Sequence, residues 1–203
     1  MKKRILNKCL TIVKNSNPDI NDEKLDEIRY GLEGFYLTIP KIIFITLLSI
    51  ILGIFKETMI MMIVFNILRT TGFGLHATKS WQCWVSSTFF FIILPLLSKY
   101  LIIPNVTKLV LGIISIILIF FFTPADTKKH PLINKKKREI WKFITTIECI
   151  TFVILLLFTK DNTLSNLMLF GIYTEVILTN PFTYRLFNLQ YNNYLNYVLN
   201  SNV

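Results

Sequence analysis

The sequence predicts an all-α, polytopic integral membrane protein with about six membrane-embedded helices. Its 203 residues are 53% hydrophobic and only 17% charged, and the mean hydropathy is +0.53. This composition is typical of a chain that places apolar helices in lipid rather than of a soluble domain. We therefore expect residues 1–203 to form a single membrane domain. The apolar segments lie near residues 41–56, 58–70, 81–98, 107–123, 140–158 and 164–180.

The first 37 residues predict two amphipathic helices at the membrane surface. Residues 5–13 place apolar side chains at helical spacing among lysines, which is typical of a helix lying on an anionic leaflet. A second helix begins near Asp22, with acids in its first turn and an apolar stripe behind them. The basic start lacks the apolar run and cleavage site of a signal peptide, so we expect it to be retained.

The first two apolar segments are short for membrane spans. Lys41 and Lys56 bracket only fourteen uncharged residues, which is about 21 Å of helix against a hydrocarbon core of about 30 Å. Either the lysines snorkel to the interface, or the two segments form a re-entrant hairpin. In both cases residues 38–180 are membrane-embedded, and the chain returns to its starting side before residue 71.

The positions of the basic residues predict the orientation in the membrane. With the N-terminus inside, the inner segments contain eighteen of the 22 Lys and Arg residues, and the outer turns contain four. This asymmetry places both termini, residues 69–83 and the basic loop 124–142 in the cytoplasm. Anionic lipid accounts for the net charge of +10, so we expect no nucleic-acid partner. The four outer residues are Lys56, Lys99, Lys108 and Lys160.

A polar segment with two glycines, residues 69–83, interrupts the apolar segments. It contains His76, one of two histidines, and Cys83, one of three cysteines. An imidazole that accepts the thiol proton and a thiolate that attacks a carbonyl are the minimum components of a cysteine nucleophile. On one helix the two residues would be about 10.5 Å apart along the axis, too far for a direct hydrogen bond. The helix should therefore break between them.

Two glycines just before the histidine predict where this break lies. Gly72 and Gly74 permit the backbone angles of a tight turn, and the next helix should begin near Ser80. Cys83 then lies in the first helical turn, where the helix dipole favours a thiolate. The few, scattered cysteines and histidines have neither disulfide nor zinc spacing, so we expect no metal and no cofactor.

This segment resembles the active-site signature of the accessory gene regulator B family, membrane cysteine peptidases that process bacterial quorum-sensing propeptides. One departure is that Phe73 occupies the position expected for the first glycine of a pair. Residues 124–132 are similar to the family's loop between later membrane segments. The family pattern is an arginine, a glycine pair, His-Ala and a cysteine, matched here by Arg69, Gly74, His76, Ala77 and Cys83.

The resemblance implies that His76 is the general base and Cys83 the nucleophile of a cysteine endopeptidase. The substrate would be a short amphipathic propeptide, and cleavage would release its acidic tail and leave a thioester on the enzyme. The propeptide's own cysteine would then form a cyclic thiolactone, the intermediate of an autoinducing peptide that regulates virulence. Arg69 either stabilises the oxyanion or binds a substrate carboxylate. Membrane lipids are further expected partners. The oligomeric state is left open by the sequence, with a homodimer as one of the alternatives.

Supporting residues are expected in both blocks. Gly74 and Lys79 belong to the first block, and Lys128 and Lys129 belong to the second. The basic loop 124–142 is explained by topology alone if its cations contact anionic headgroups. The functional alternative is that some of them bind the acidic part of the substrate, and the resemblance favours Lys128 and Lys129 for this role.

A small membrane transporter or exporter of a peptide is the alternative function from another class. Glu148 and Glu175 lie near the middle of the last two apolar segments, where an unpaired charge is costly. They must be protonated, paired or facing a wet cavity, and two such groups could line a path across the membrane. Interhelical hydrogen bonds explain them equally well. The tail, residues 181–203, alternates aromatic residues with asparagines and predicts an interfacial helix.

Overall fold

The computed structural model describes residues 2–17, 20–75, 80–128 and 131–200, most of which are helical. The chain packs as two units, residues 1–48 and 49–203. The first helices are α1 (Lys2–Ser16), α2 (Asp22–Ile51) and α3 (Phe55–Gly72). Next, α4 (Ser80–Thr88) continues through a π-helical turn (Phe89–Ile93) into α5 (Leu94–Tyr100). The remaining helices are α6 (Asn105–Phe122), α7 (Lys135–Phe158), α8 (Asn162–Thr179), α9 (Pro181–Leu186) and α10 (Tyr194–Asn200).

The first unit contains α1 and most of α2. In α1, Leu6 and Leu10 are buried one turn apart, whereas Thr11 is exposed. The amphipathic second helix and the apolar segment that begins at residue 41 were expected as separate elements, but they form one helix of 30 residues. Pro40 lies inside this helix. It removes one backbone hydrogen bond, and no turn residues follow it, so the helix continues.

The centre of the second unit is α8, which packs against α3, α5, α6, α7 and α9. Ten of its eighteen residues are buried. Its most extensive neighbour is α3, and a Cβ added at Gly171 would lie 2.7 Å from Val64 Cγ1 of that helix. Glycine therefore lets these two helices approach closely, as small residues do between membrane helices. The adjoining core contains Leu68, Ile119, Cys149, Leu156 and Ile172.

Within the described residues, four stretches are long and apolar enough to cross a membrane. They are Gly34–Ile51, Trp81–Tyr100, Asn105–Phe122 and Lys135–Phe158. The two other helices of the predicted six, α3 and α8, are too polar to be counted with them. Protein surrounds α8, so its polar groups can be satisfied without contacting lipid. The buried polar residues of α8 are Ser165, Asn166, Thr174, Glu175 and Thr179.

The loops of the second unit lie at two ends of the helices. At the end we call the turn end, Lys99 Nζ lies 3.1 Å from Glu57 Oε1, and Lys108 Nζ donates to Asn162 Oδ1 at 2.8 Å. At the end we call the loop end, Phe73 forms a parallel bridge with Ala125. The two loops predicted to be cytoplasmic therefore meet at one end, and the four lysines predicted to be outside belong to helix ends and turns at the other.

The C-terminal segment differs from the expected interfacial helix. It forms two short helices, α9 and α10, separated by a bend in which Asn188 and Asn192 have φ of 52° and 57°. Asparagine tolerates this left-handed conformation better than most residues. Tyr184 is only 1% exposed and packs with Leu75 and Ala125 at the loop end. Tyr184 therefore covers a loop, whereas Phe182, Phe187 and Tyr197 are exposed, and the interfacial location of the tail stays a prediction.

Candidate active site

The candidate nucleophile lies where the sequence predicts it. The helix α4 begins at Ser80, so Cys83 is in its first turn, and the cysteine is partly exposed. A first-turn position aligns the thiol with the positive end of the helix dipole, and partial exposure lets a substrate reach it. His76, Ala77 and Lys79 lie outside the described residues, so a contact between His76 and Cys83 stays a prediction.

The predicted break before His76 begins at the end of α3. Phe73 has φ of 60° and Gly74 has φ of 92°, both in the region that favours glycine. A Cβ at Gly74 would lie 2.8 Å from Leu178 O and even closer to Arg69 Nη1. A Cβ at Gly72 would lie 2.7 Å from a carboxylate oxygen of Glu175. Gly74 is therefore required for both its backbone angle and its space, whereas a side chain at Gly72 would displace the Glu175 carboxylate.

The departure from the family pattern falls on Phe73. A non-glycine residue with this backbone costs on the order of 1–3 kcal/mol, which explains why a glycine is expected at this position. The Phe73 ring stacks on Trp141 of α7, with ring centroids 4.4 Å apart and planes at 17°. This aromatic contact offsets part of the backbone strain and attaches the turn to α7.

Arg69, in the last turn of α3, binds the backbone immediately before His76. Its Nη2 donates to Gly74 O at 3.0 Å and to Leu75 O at 2.7 Å. Its Nη1 lies 3.6 Å from Glu175 Oε2 in α8. One guanidinium can make these contacts together because its donors form a rigid, planar fork. In the described residues Arg69 therefore joins α8 to the candidate active-site turn.

The backbone of the two sequence blocks is hydrogen-bonded together. Gly74 N donates to Ala125 O at 2.7 Å, and Ala125 N donates to Gly72 O at 2.9 Å. Leu75 N donates to Leu178 O at 2.8 Å, which satisfies a carbonyl in the last turn of α8 that has no helical partner. Two motifs about fifty residues apart in the sequence are thus neighbours in the fold.

Asp126 is a residue of this site that the sequence reasoning missed. It is 2% exposed, and its carboxylate accepts from Asn193 N and Tyr194 N at 2.7 Å each and from Leu132 N at 3.3 Å. It therefore fixes the loop after α6 to the C-terminal segment. Its signal in the sequence is an acid at the start of a loop, residues 124–142, that contains seven basic residues and one other acid, Glu139.

Two tyrosines complete the packing around Asp126. Tyr184 Oη donates to Asp126 O at 3.1 Å, and Tyr191 Oη donates to Phe122 O at 2.8 Å. Burial raises the pKa of the Tyr184 hydroxyl far above its ordinary value. Burial, together with the nearby Asp126, raises the pKa of Tyr191 to about 12. Both hydroxyls therefore remain protonated donors at neutral pH.

The cations of the basic loop do not form one class. Arg138 Nη1 donates to Leu132 O at 2.7 Å, and its guanidinium lies 3.6 Å from the Tyr194 ring centroid, so this residue has a structural role. Lys128 is exposed, whereas Lys129 and the neighbouring His130 lie outside the described residues. The remaining exposed cations of the loop are Lys135, Lys136 and Lys137.

The carboxyls of the last two apolar segments, Glu148 and Glu175, lie close to the candidate active-site turn. Thr71 Oγ1 donates to Glu148 Oε2 at 2.8 Å, which is an interhelical hydrogen bond between α3 and α7. Glu175 pairs with Arg69. Of the explanations left open by the sequence, an interhelical hydrogen bond therefore describes Glu148, and an ion pair describes Glu175.

Comparison with known proteins gives a consistent result. A family model described as accessory gene regulator B matches residues 6–179. The chain is 31% identical over 196 residues to a putative AgrB-like protein of Clostridium acetobutylicum. The matched region covers 95% of this chain and 94% of the relative. It is 32% identical over 158 residues to accessory gene regulator protein B of Staphylococcus aureus, with 78% and 83% covered. No solved structure matches the chain.

The match extends over nearly the whole chain and includes both sequence blocks of the candidate site. A putative AgrB-like protein of Listeria monocytogenes is also 30% identical over 179 residues, which is 87% of each chain. The resemblance inferred from the sequence is confirmed. The chain belongs to the accessory gene regulator B family, whose members take part in quorum sensing.

Proposed function

We propose that this protein is a membrane cysteine endopeptidase in which Cys83 is the nucleophile and His76 the general base. The observation that carries the proposal is the interruption between α3 and α4. A helix that continued through this segment would separate the two side chains. Instead α3 ends at Gly72, the backbone turns, and α4 begins at Ser80 with the thiol in its first turn.

The chemistry follows from these two groups. The His76 imidazole accepts the Cys83 proton, and the thiolate attacks the carbonyl carbon of the scissile peptide bond. The tetrahedral intermediate collapses when His76 returns the proton to the leaving amine, so the C-terminal part of the substrate departs and a thioester remains. A substrate thiol then attacks this thioester, closes a thiolactone ring and releases the Cys83 thiol.

The proposed substrate is a short amphipathic propeptide of a quorum-sensing system. The first helix, α1 (Lys2–Ser16), is proposed to lie on the same leaflet as this propeptide, which raises the effective concentration of one near the other. Its acidic tail would contact the cations of the basic loop, with Lys128 and Lys129 as the residues that the family pattern favours. The cluster of exposed lysines after residue 134 supports this part of the proposal through charge complementarity.

The proposed location is the bacterial cell membrane, with a multi-pass topology and with both termini and the active site in the cytoplasm. Four apolar helices of sufficient length support the membrane location. The hydrogen bonds between the turn after α3 and the loop after α6 support one common side for both. The lysine and arginine asymmetry assigns that side to the cytoplasm.

A peptide transporter that uses Glu148 and Glu175 is less well supported. In a transport path, the two carboxyls would be expected to line a wet route between the two faces of the membrane. Here Glu148 bonds to Thr71, Glu175 pairs with Arg69, and both partners lie in the last turn of α3. A thiol reagent applied to inverted vesicles distinguishes the two functions, because it stops a peptidase through Cys83 alone.

The function is tested by propeptide cleavage in reconstituted vesicles, followed by mass spectrometry. Cys83→Ala and His76→Ala are each expected to abolish cleavage while the protein still inserts and unfolds cooperatively. Cys9→Ala and Cys149→Ala are the matched controls, and both should retain cleavage because neither belongs to the proposed site. Cleavage that survives in Cys83→Ala contradicts the proposed mechanism.

A further inference from the structure

The ion pair between Arg69 and Glu175 is not explained by the proposed peptide chemistry. The Glu175 side chain is fully buried, and its Oε2 is 3.6 Å from Arg69 Nη1. Among the described residues neither Glu175 oxygen accepts a hydrogen bond. A buried ion pair with few hydrogen bonds recovers little of its desolvation cost. Its contribution to stability is therefore a weak explanation for it.

The pair does have one consequence for the candidate active site. The same guanidinium that faces Glu175 donates to Gly74 O and Leu75 O. Leu75 directly precedes His76, so the position of Arg69 limits where the chain places the imidazole. Without the carboxylate, the guanidinium would lose the attraction that draws it toward α8 and could snorkel toward water. The absence of a side chain at Gly72 gives Glu175 the room to approach, because a Cβ there would lie 2.7 Å from Oε1.

We propose that Glu175 is a positioning residue for the reaction and acts through Arg69. By holding the guanidinium, it fixes the carbonyls of Gly74 and Leu75 and sets the position of His76 relative to Cys83. This inference rests on the proposed function, in which the histidine and the cysteine carry out the chemistry. Glu175 contacts neither the substrate nor the reacting atoms.

Glu148 provides a matched control for Glu175. It is also a glutamate in a membrane-embedded helix close to the end of α3, but its described partner is the neutral Thr71 hydroxyl. The carboxamide oxygen of glutamine accepts that hydrogen bond as a carboxylate does. Glu148→Gln therefore keeps its contact, whereas Glu175→Gln removes the counter-charge of Arg69.

The first measurement compares kcat and KM for propeptide cleavage in vesicles. The parent protein for all variants carries Cys9→Ala and Cys149→Ala, so that Cys83 is its one cysteine. Glu175→Gln is expected to lower kcat by about 10- to 100-fold, because a misplacement of about 1 Å has an effect of this size. KM should change by less than about twofold, because the substrate-binding surface is not altered. Glu148→Gln should lower kcat by less than about threefold. A kcat for Glu175→Gln within about threefold of the parent value overturns the inference.

Two further variants separate positioning from folding. Arg69→Met/Glu175→Met removes both charges, so it should recover the unfolding temperature that a lone buried charge lowers. Its kcat should remain about tenfold or more below the parent value, because no group binds the two carbonyls. Arg69→Lys keeps the charge balance but lacks the fork of donors, and we expect the same loss of kcat. A double variant that regains both the unfolding temperature and kcat shows that the pair is only structural.

Alkylation of Cys83 tests the proposed peptidase function, and Glu175→Gln tests the role of Glu175 separately. If alkylation of Cys83 in the chain with unaltered Glu175 leaves cleavage intact, the peptidase proposal fails, whatever the Glu175 variants do. If alkylation stops cleavage but Glu175→Gln cleaves at the parent rate, the peptidase proposal stands and only the role of Glu175 fails.

Discussion

The two ends of the second unit each contain a buried or partly buried cation, and the two cations are held differently. At the turn end, Lys108 is 1% exposed and donates to the neutral amide of Asn162, with Asp161 close enough to attract it. At the loop end, Arg69 pairs with a buried carboxylate and donates to two backbone carbonyls. The ammonium ties together the starts of two helices, whereas the guanidinium places a turn. A flexible point charge suffices for the first task, and a rigid fork suits the second.

The glycines at the two ends show the same contrast. Gly53, between α2 and α3, has φ of 65°, and a Cβ added there would meet no atom within 4 Å. Gly74 has φ of 92°, and a Cβ added there would meet Leu178 O and Arg69. One glycine is needed only for its backbone angle, and the other for both angle and space. The backbone at Gly74 is therefore more constrained than the backbone at Gly53, which is what accurate placement of the proposed catalytic groups would require.

The contrast between the glycines predicts the largest effect in this comparison. Gly74→Ala should lower propeptide cleavage more than about tenfold, because the methyl group displaces Arg69 or separates the turn from α8. Gly53→Ala should cost about 1–2 kcal/mol of stability through its backbone angle and leave the cleavage rate within about twofold. Vesicle cleavage assays and thermal unfolding of both variants measure this difference. Equal cleavage rates in folded Gly74→Ala and Gly53→Ala would remove the distinction between the two ends.

We expect a smaller effect on cleavage from replacing Lys108 at the turn end. Lys108→Met keeps most of the side-chain volume and removes a buried ammonium, but it leaves Asn162 Oδ1 without its described donor. The lost hydrogen bond lowers the stability, whereas the avoided desolvation of the ammonium raises it. The free energy of unfolding should therefore change by no more than about 2 kcal/mol. Cleavage should stay within about twofold of the parent rate. A tenfold loss of cleavage in a variant that folds normally would mean that the turn end acts on the site.

The sequence predicts the local features of this fold well. The start of α4 at Ser80 and the helices near residues 58–70, 107–123, 140–158 and 164–180 agree with the structure, because apolar runs and turn residues act over short distances. The second amphipathic helix and the apolar segment near residues 41–56, expected as separate elements, form one helix, because Pro40 removes a backbone hydrogen bond of α2 without ending it. The amphipathic character of the N-terminal helices and the membrane orientation stay predictions.

The candidate site could be predicted only in part. Gly74 and Cys83 follow from the expected turn and the start of the next helix within one short segment, and Arg69 follows from the resemblance of that segment to the family pattern. The contacts of Asp126 with residues 193 and 194, and of Arg69 with Glu175, depend on how distant helices pack. No periodicity in a single sequence contains that information. For the same reason, the sequence contains no sign that Arg138 differs from the other cations of the basic loop. In the structure Arg138 donates to the backbone and lies against an aromatic ring.

The central claim is that Cys83 forms a thioester with the propeptide, and a trapped acyl-enzyme tests it most directly. A site enclosed by bilayer and apolar helices should admit little water, so the thioester should persist until a substrate thiol attacks it. Replacing the ring-forming cysteine of the propeptide with alanine removes that thiol. We expect the N-terminal part of the substrate to remain attached to Cys83 as a hydroxylamine-sensitive mass increase, with about one equivalent of tail released per enzyme. Repeated hydrolysis of the alanine substrate to a linear acid, without a covalent adduct on Cys83, would contradict the account.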